Sequence, residues 1–172
     1  RVPIRTTLNR GDVAFVVEED RPWEGESTLR VLDRIGQRMI AHLGAIAPEG
    51  QLWKIDARLR PDGAGSPLVA TLNRFVDYYR GEAGLWEWQA LTKARPVAGD
   101  IAFGNEVLSR LYGVFGEIGP VPELANQIRT MRKRMEDNVK LPRSGLFDLK
   151  TGPGGIVDAE FLVQFLQLSR PA

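Results

Sequence analysis

The chain has 172 residues, 43% of them apolar and 26% charged, an ordinary globular balance that excludes wholesale disorder and a composition dominated by membrane spans. Its 23 basic and 22 acidic side chains leave a formal charge of +1, so no overall field draws it to nucleic acid or anionic lipid, and neither is expected as a partner. With no cysteine and a single histidine, His42, thiolate chemistry and disulfides are excluded, and a Ser-His-Asp triad or a multi-histidine metal centre has little to draw on.

The chain opens on Arg1 with no charged-apolar-small leader pattern, and the expectation is a piece of a longer polypeptide of the reducing cytoplasm. The basic, aperiodic "RVPIRTTLNRG" leads into "DVAFVV", a β-branched run suited to a largely buried strand with Asp12 at its entrance. "EEDRPWEGE" reads as a turn-rich loop. Ser27 is then placed to cap a helix whose Leu29, Leu32, Ile35, Met39 and Leu43 recur at three- and four-residue steps, giving one apolar stripe. "LWKIDARLRP" alternates: Trp53, Ile55, Ala57 and Leu59 take one face, and Lys54, Asp56, Arg58 and Arg60 take the other, until Pro61 ends the strand.

After the loop "DGAGSP", Thr71 opens a helix carrying Leu72, Phe75, Val76 and Tyr79, and another helix is expected over Glu82 to Ala94. From Asp100 onward the signals are helical. Phe103, Val107, Leu108, Leu111, Tyr112 and Phe115 form one stripe, and Leu124, Ile128, Met131 and Met135 form a second, with "GEIGPVP" as a hinge between them. The loop "LPRSG" follows, and the last element is an apolar helix from Ile156 to Leu168 beginning just past "TGPGG".

The apolar set of the 52–61 segment faces a core, so the face bearing Asp56 meets water, a partner or a ligand. A solvated ladder of Lys54, Asp56 and Arg58 is the simpler account. The alternative is chemical. A carboxylate on a rigid strand beside a second one from a neighbouring strand holds magnesium next to a triphosphate, while guanidinium groups neutralise phosphate oxygens. Asp12 is the candidate second carboxylate, although a residue at a strand entrance also serves a turn.

"LWKIDARLRPDGAGSPLVATLNRFVDYYRGEAGLWEWQALTKARPVAGD", Leu52 to Asp100, resembles the signature of the bacterial glutamine-synthetase adenylyltransferase family, members of the polymerase-β-like nucleotidyltransferases. "FDLKTGPGGIVDAEFLVQFLQL", Phe147 to Leu168, is similar to the helical segment that follows the transferase core in that family. The resemblance implies an α+β fold: a polymerase-β-like nucleotidyltransferase lobe with a small mixed sheet over residues 1–99, and a helical-bundle lobe, possibly truncated, over 100–172. Family polypeptides carry two transferase-like halves, one attaching AMP to a tyrosine of glutamine synthetase and one removing it by phosphorolysis. "GEAGLWEWQALTKARPVAGD" and "GGIVDAEF" are closer to the C-terminal, AMP-attaching half.

Carried onto this sequence, the resemblance makes Asp56 the third metal-site carboxylate and Asp12 the second, both catalytic and both ligands of Mg2+, with ATP as substrate. Arg58 and Arg60 match the flanking basic positions that bind nucleotide or substrate. The implied partners are glutamine synthetase, a nitrogen-signalling regulatory protein and the other half of a longer polypeptide. The family pattern Gly-Ser-Asp-x-Asp is not met at "NRGDVAFVV", where the first aspartate has no counterpart. Either a glycine-rich loop bearing it is missing from this chain, or a metal ligand is lost and the domain is a nucleotide-binding regulator.

Other motifs carry less. "TGPGGIVDAEF" has the look of an anion-cradling helix start but lacks the lysine-serine ending of a P-loop. Asp158 and Glu160, two residues apart on a helix, point about 200° apart and cannot share a metal; Asp158 suits a first-turn contact or a bond to the transferase lobe. "IRTMRKRMED" reads as a solvated basic face. Trp86 and Trp88 are expected to pack the 82–94 helix, while Glu87 and Lys93 are polar candidates near the cleft, Lys93 for a phosphate or simply for the surface.

Overall fold

The structure is a computed structural model that describes residues 10–19, 22–23, 26–48, 50–51, 53–118, 121–138 and 148–169. The expected basic opening segment, residues 1–9, and the loop "LPRSG" lie outside the described residues. Eight short strands and six α-helices are present among the described residues, a mixed helix-and-strand architecture. Two compact units divide the chain, Arg1–Glu82 and Ala83–Ala172. The border expected after residue 99 falls inside the second unit. The reason is local packing: Trp88 lies against Phe115 with ring centroids 4.9 Å apart, and Gln89 bonds Gln164, so helix 85–91 shares its core with the helices after it.

In the first unit the expected strand over 12–17 is two strands, β1 (Arg10–Asp12) and β2 (Phe15–Val17), interrupted at Val13 and Ala14. Two hairpin-like pairs are antiparallel, β3 (Pro22–Trp23) with β4 (Glu26–Ser27) and β5 (Ile46–Ala47) with β6 (Gly50–Gln51). The other two pairs are parallel: β1 with β7 (Lys54–Asp56) and β2 with β8 (Val69–Thr71). The mixed sheet is therefore a set of two-stranded ladders, of which the two parallel ones share the segment from Arg10 to Val17. Parallel neighbours need a crossover, and helix α1 (Thr28–Leu43) lies between β2 and β7 in the chain and packs on β7 and β8.

Ser27 stands at the N-cap of α1 as its sequence suggests, though its side chain makes no capping bond. Its apolar stripe is only partly used. Gly36 is the buried residue of the helix, and a Cβ there would sit 3.7 Å from Leu68 Cδ1 and 3.9 Å from Phe15 Cε2, so the helix approaches the strands along its glycine. Ile35, Met39 and Leu43 of that stripe stay 46, 43 and 46% exposed, whereas Gly36 is buried.

β7 stops at Asp56, five residues before the proline that was expected to end it, because side chains take over its backbone groups. The Arg58 N–H donates to Asp56 Oδ1 at 3.1 Å, and the Arg60 guanidinium donates to the Ala57 carbonyl at 2.7 Å. Such local bonds compete directly with a ladder. Asp62 and Gly63 both take left-handed backbone conformations in the turn that follows, with φ of 63° and 66°. Helix α2 (Leu72–Gly81) is capped by Thr71, whose hydroxyl accepts the Arg74 N–H at 3.2 Å, and it buries Leu72, Phe75 and Tyr79 beside Val69 and Ala70.

The second unit is helical among the described residues: α3 (Leu85–Leu91), α4 (Ile101–Ile118), α5 (Leu124–Asp137) and α6 (Ile156–Leu168). Val107, Leu111, Val114 and Phe115 of α4, Leu124 and Ile128 of α5, and Val157 and Leu168 of α6 are buried there with Trp88 and Leu91. Tyr112, placed in the α4 stripe by spacing, is 47% exposed, and Val114 takes the buried position instead. No described helix is long and apolar enough to cross a membrane.

Candidate functional site

Two three-residue strands bring two acidic residues side by side. β1 and β7 pair in register, Arg10 with Lys54, Gly11 with Ile55 and Asp12 with Asp56. In-register partners of a parallel ladder project to the same side, so both carboxylates share one face. The main chain is fixed at that row by the Val13 N–H, which donates to the Asp56 carbonyl at 2.8 Å. Asp12 is exposed, whereas Asp56 is 8% exposed.

A buried carboxylate needs partners, and Arg58 supplies them. Its Nε donates to both carboxylate oxygens at 2.9 Å, and a terminal nitrogen donates to Oδ2 at 2.6 Å. The pair is lopsided: the Arg58 side chain is 64% exposed and that of Asp56 8%. The hydrogen bond to Asp56, then the Asp56 charge and, more weakly, that of Asp12 hold the Arg58 guanidinium above its ordinary range. Asp12, Asp56 and Arg58 therefore form one charge cluster.

Arg60 goes elsewhere. Besides the Ala57 carbonyl it donates to Ser66 Oγ at 3.2 Å, and with Asp33, Gln37 and Leu68 it lines an open groove of about 450 Å³ beside α1 that includes neither Asp12 nor Asp56. The alternation that put Arg60 on the face of Asp56 fails because the strand ends before it. Asp33, which the sequence did not single out, joins α1 to this segment by accepting the Leu68 N–H, and it also accepts a bond from Gln37 of its own helix at 2.8 Å.

The remaining candidates lie in the second unit. Lys93 pairs with Glu160 at 3.4 Å, both half exposed. Glu87 is buried, and its carboxylate accepts the Gly84 N–H at 2.8 Å, a helix-start contact for α3. Asp158 makes the first-turn contact its position suggested: it accepts the Gly154 N–H at 2.6 Å and a bond from Arg132 of α5. Arg132, expected on a solvated face, is 8% exposed and also reaches the Gly152 carbonyl at 3.0 Å. The bond from Arg132, followed by that from Gly154, pulls Asp158 below the usual carboxylate range.

The loop ahead of α6 satisfies itself. Asp148 accepts the Lys150 and Thr151 N–H groups at 2.8 and 2.9 Å, and the Ile156 and Val157 N–H groups, both at 3.0 Å, return to the carbonyls of Leu149 and Lys150. A phosphate would find those donors taken. An aspartate four residues before a Gly-Pro-Gly turn was the available signal for this cap.

For the metal that the resemblance implies, the donor set is small. Among the described residues no group of three or more His, Cys, Asp or Glu side chains is clustered. A pair of carboxylates nevertheless suits magnesium, which is bound through one or two carboxylates plus substrate phosphates and water rather than by an all-protein cage. Asp12 and Asp56 fit that requirement. Two residues before Asp12 stands Arg10, at the register position beside Lys54, so the first aspartate of the family pattern is not supplied by β1.

Comparison with known proteins gives a consistent result. The family model described as glutamate-ammonia ligase adenylyltransferase matches residues 11–110. The chain is 38% identical over 157 residues to a protein of Streptomyces avermitilis named bifunctional glutamine synthetase adenylyltransferase/adenylyl-removing enzyme, covering 91% of this chain and 16% of that protein. Proteins of the same name from Streptomyces coelicolor and Brucella melitensis are 39% identical over 160 residues and 41% identical over 164 residues, covering 91 and 92% of this chain. The chain spans about 16% of the length of each of these relatives.

Proposed function

The chain belongs to the glutamate-ammonia ligase adenylyltransferase family, and from that premise we propose that it transfers AMP from ATP to a tyrosine of glutamine synthetase, with Mg2+ held by Asp12 and Asp56. The observation that carries this reading is the in-register pairing of Asp12 with Asp56 on adjacent parallel strands, with a guanidinium already drawn to them. When bound, magnesium neutralises triphosphate charge and orients the phosphates.

The chain's own residues do the rest. Asp56, fixed by its main chain and largely buried, sets the position of the phosphates; Asp12, at the open edge of the same row, completes the acidic pair. Arg58 is long, exposed and next to both, suited to a phosphate oxygen of the nucleotide. The tyrosine oxygen forms its bond to the α-phosphorus as the bond to the β-phosphate oxygen breaks. Pyrophosphate departs with the bonding electron pair, and the phenolic proton passes to a carboxylate or to water. Positioning and charge supply most of the acceleration.

Glutamine synthetase is the acceptor in this reading, and the remainder of a longer polypeptide and a nitrogen-signalling protein are its regulators. The test is incubation of the full-length protein with α-labelled ATP, magnesium and unmodified glutamine synthetase. Label on a tyrosine, lost on Asp56→Asn in this half, supports the proposal. Phosphate-dependent release of AMP from modified glutamine synthetase, lost on the same substitution, replaces it with the removing reaction; neither reaction responding to Asp56→Asn leaves a regulatory domain.

A further inference from the structure

The Asp56–Arg58 pair occupies the space that a cation on Asp56 requires. Oδ1 receives the Arg58 main-chain N–H at 3.1 Å and Nε at 2.9 Å, while Oδ2 receives Nε at 2.9 Å and a terminal nitrogen at 2.6 Å. A magnesium ion sits about 2.1 Å from its oxygen ligands, so an ion on the outward lone pairs of Asp56 and the Arg58 guanidinium exclude each other. Yet the carboxylate, 8% exposed, is costly to leave without a positive partner.

Exchange is favoured by the other half of the pair. The Arg58 side chain is 64% exposed, and among the described residues its side-chain bonds are to Asp56, a residue only two positions away. No distant element has to move when it swings out, and the guanidinium stays in solvent, so the cost falls on the carboxylate, which an arriving cation offsets. It also needs a new acceptor, and a phosphate oxygen is the partner that guanidinium geometry suits best.

Building on the cation site described above, we propose that Arg58 is an internal counter-ion that holds the cation's place on Asp56 in the nucleotide-free protein and is handed to the phosphates when a nucleoside triphosphate arrives. Divalent cation and triphosphate thus bind together, and free cation binds poorly. The device keeps the acidic pair neutralised between turnovers and makes cation occupancy a response to nucleotide. Arg58 thus acts twice in this scheme, on the cation through Asp56 and on the phosphates directly.

The test is Mn2+ titration of the full-length protein by electron paramagnetic resonance, with and without α,β-methylene-ATP, counting the ions that disappear on Asp56→Asn. Arg58→Lys keeps the charge but loses the two-pronged grip on the carboxylate, and Arg58→Gln loses both. Both are expected to tighten Mn2+ binding in the absence of nucleotide by roughly tenfold, the scale on which neighbours of a metal ligand tune affinity, and both are expected to weaken binding of the analogue. If Arg58→Gln tightens Mn2+ while Arg58→Lys leaves it unchanged, Arg58 acts only as a nearby charge and the exchange is wrong. No change with either variant, at a site that Asp56→Asn abolishes, overturns the exchange and leaves the cation site standing. Mn2+ binding that ignores Asp56→Asn overturns both.

Discussion

Two aspartate–arginine pairs, one in each unit, show how the same chemistry takes opposite roles. In Asp56–Arg58 the carboxylate is buried and the guanidinium exposed, at 8 and 64%, and the partners are two residues apart. In Asp158–Arg132 the burial is reversed, the guanidinium side chain being 10% exposed and the carboxylate 38%, and the partners are 26 residues apart on different helices. The second guanidinium also holds the Gly152 carbonyl, which ties α5 to the loop before α6, and pairs with Glu136 of its own helix at 3.3 Å. A short-range pair with an exposed cation can be traded for a ligand. A long-range pair with a buried cation cannot, because releasing it leaves a charge inside the unit.

The contrast breaks first at Asp56. Asp56→Asn is expected to lower AMP transfer by at least about 10²-fold, the scale of losing one transition-state electrostatic contact, with the melting curve nearly unmoved; rate assays and circular dichroism on the same samples check both halves. Gly155→Ala should do the reverse. A Cβ there would lie 2.8 to 2.9 Å from the carbonyl oxygens of Gly152, Leu149 and Lys150, all backbone, so the loop that Arg132 grips must open, at a cost of roughly 1–3 kcal/mol in a denaturant titration.

Asp158→Asn is next, with a melting temperature lower by about 5 °C at neutral pH. Because Asp158 titrates lower when folded than its unfolded value near 3.9, its stabilisation is complete above about pH 4 and is lost as the pH falls through the depressed folded value. Melting curves of the variant should therefore converge with those of the parent on the acid side. The smallest effect belongs to Glu26→Gln, which removes the partner of Arg34 from a pair whose side chains are 40 and 56% exposed. A shift of about 1 °C or less, reduced further by salt, is expected there in differential scanning calorimetry.

What could be read in the sequence followed from how local each signal was. The bounds of α6 and the Thr71 cap of α2 were legible because spacing and a single hydroxyl determine them. Asp12 and Asp56 could be named, yet their pairing in register is a property of two strands distant in sequence. β8 went unseen because three residues are too few to alternate. Arg60 was misplaced on the Asp56 face because alternation assumes a strand that continues, whereas side-chain bonds to Asp56 and Ala57 end it. Arg132 was read as solvated because it stands in a basic run with Arg129, Lys133 and Arg134, followed by Glu136 and Asp137, and nothing in that run marks the one position that turns toward Asp158.

The most direct measurement is a crystal structure of the full-length protein with Mn2+ and α,β-methylene-ATP, using the anomalous signal of the metal. An ion bridging Asp12 and Asp56, with the Arg58 guanidinium turned onto the phosphates, is the expected result. Analogue bound away from β1 and β7, with Arg58 still locked on Asp56 and no metal signal between the two carboxylates, would contradict it.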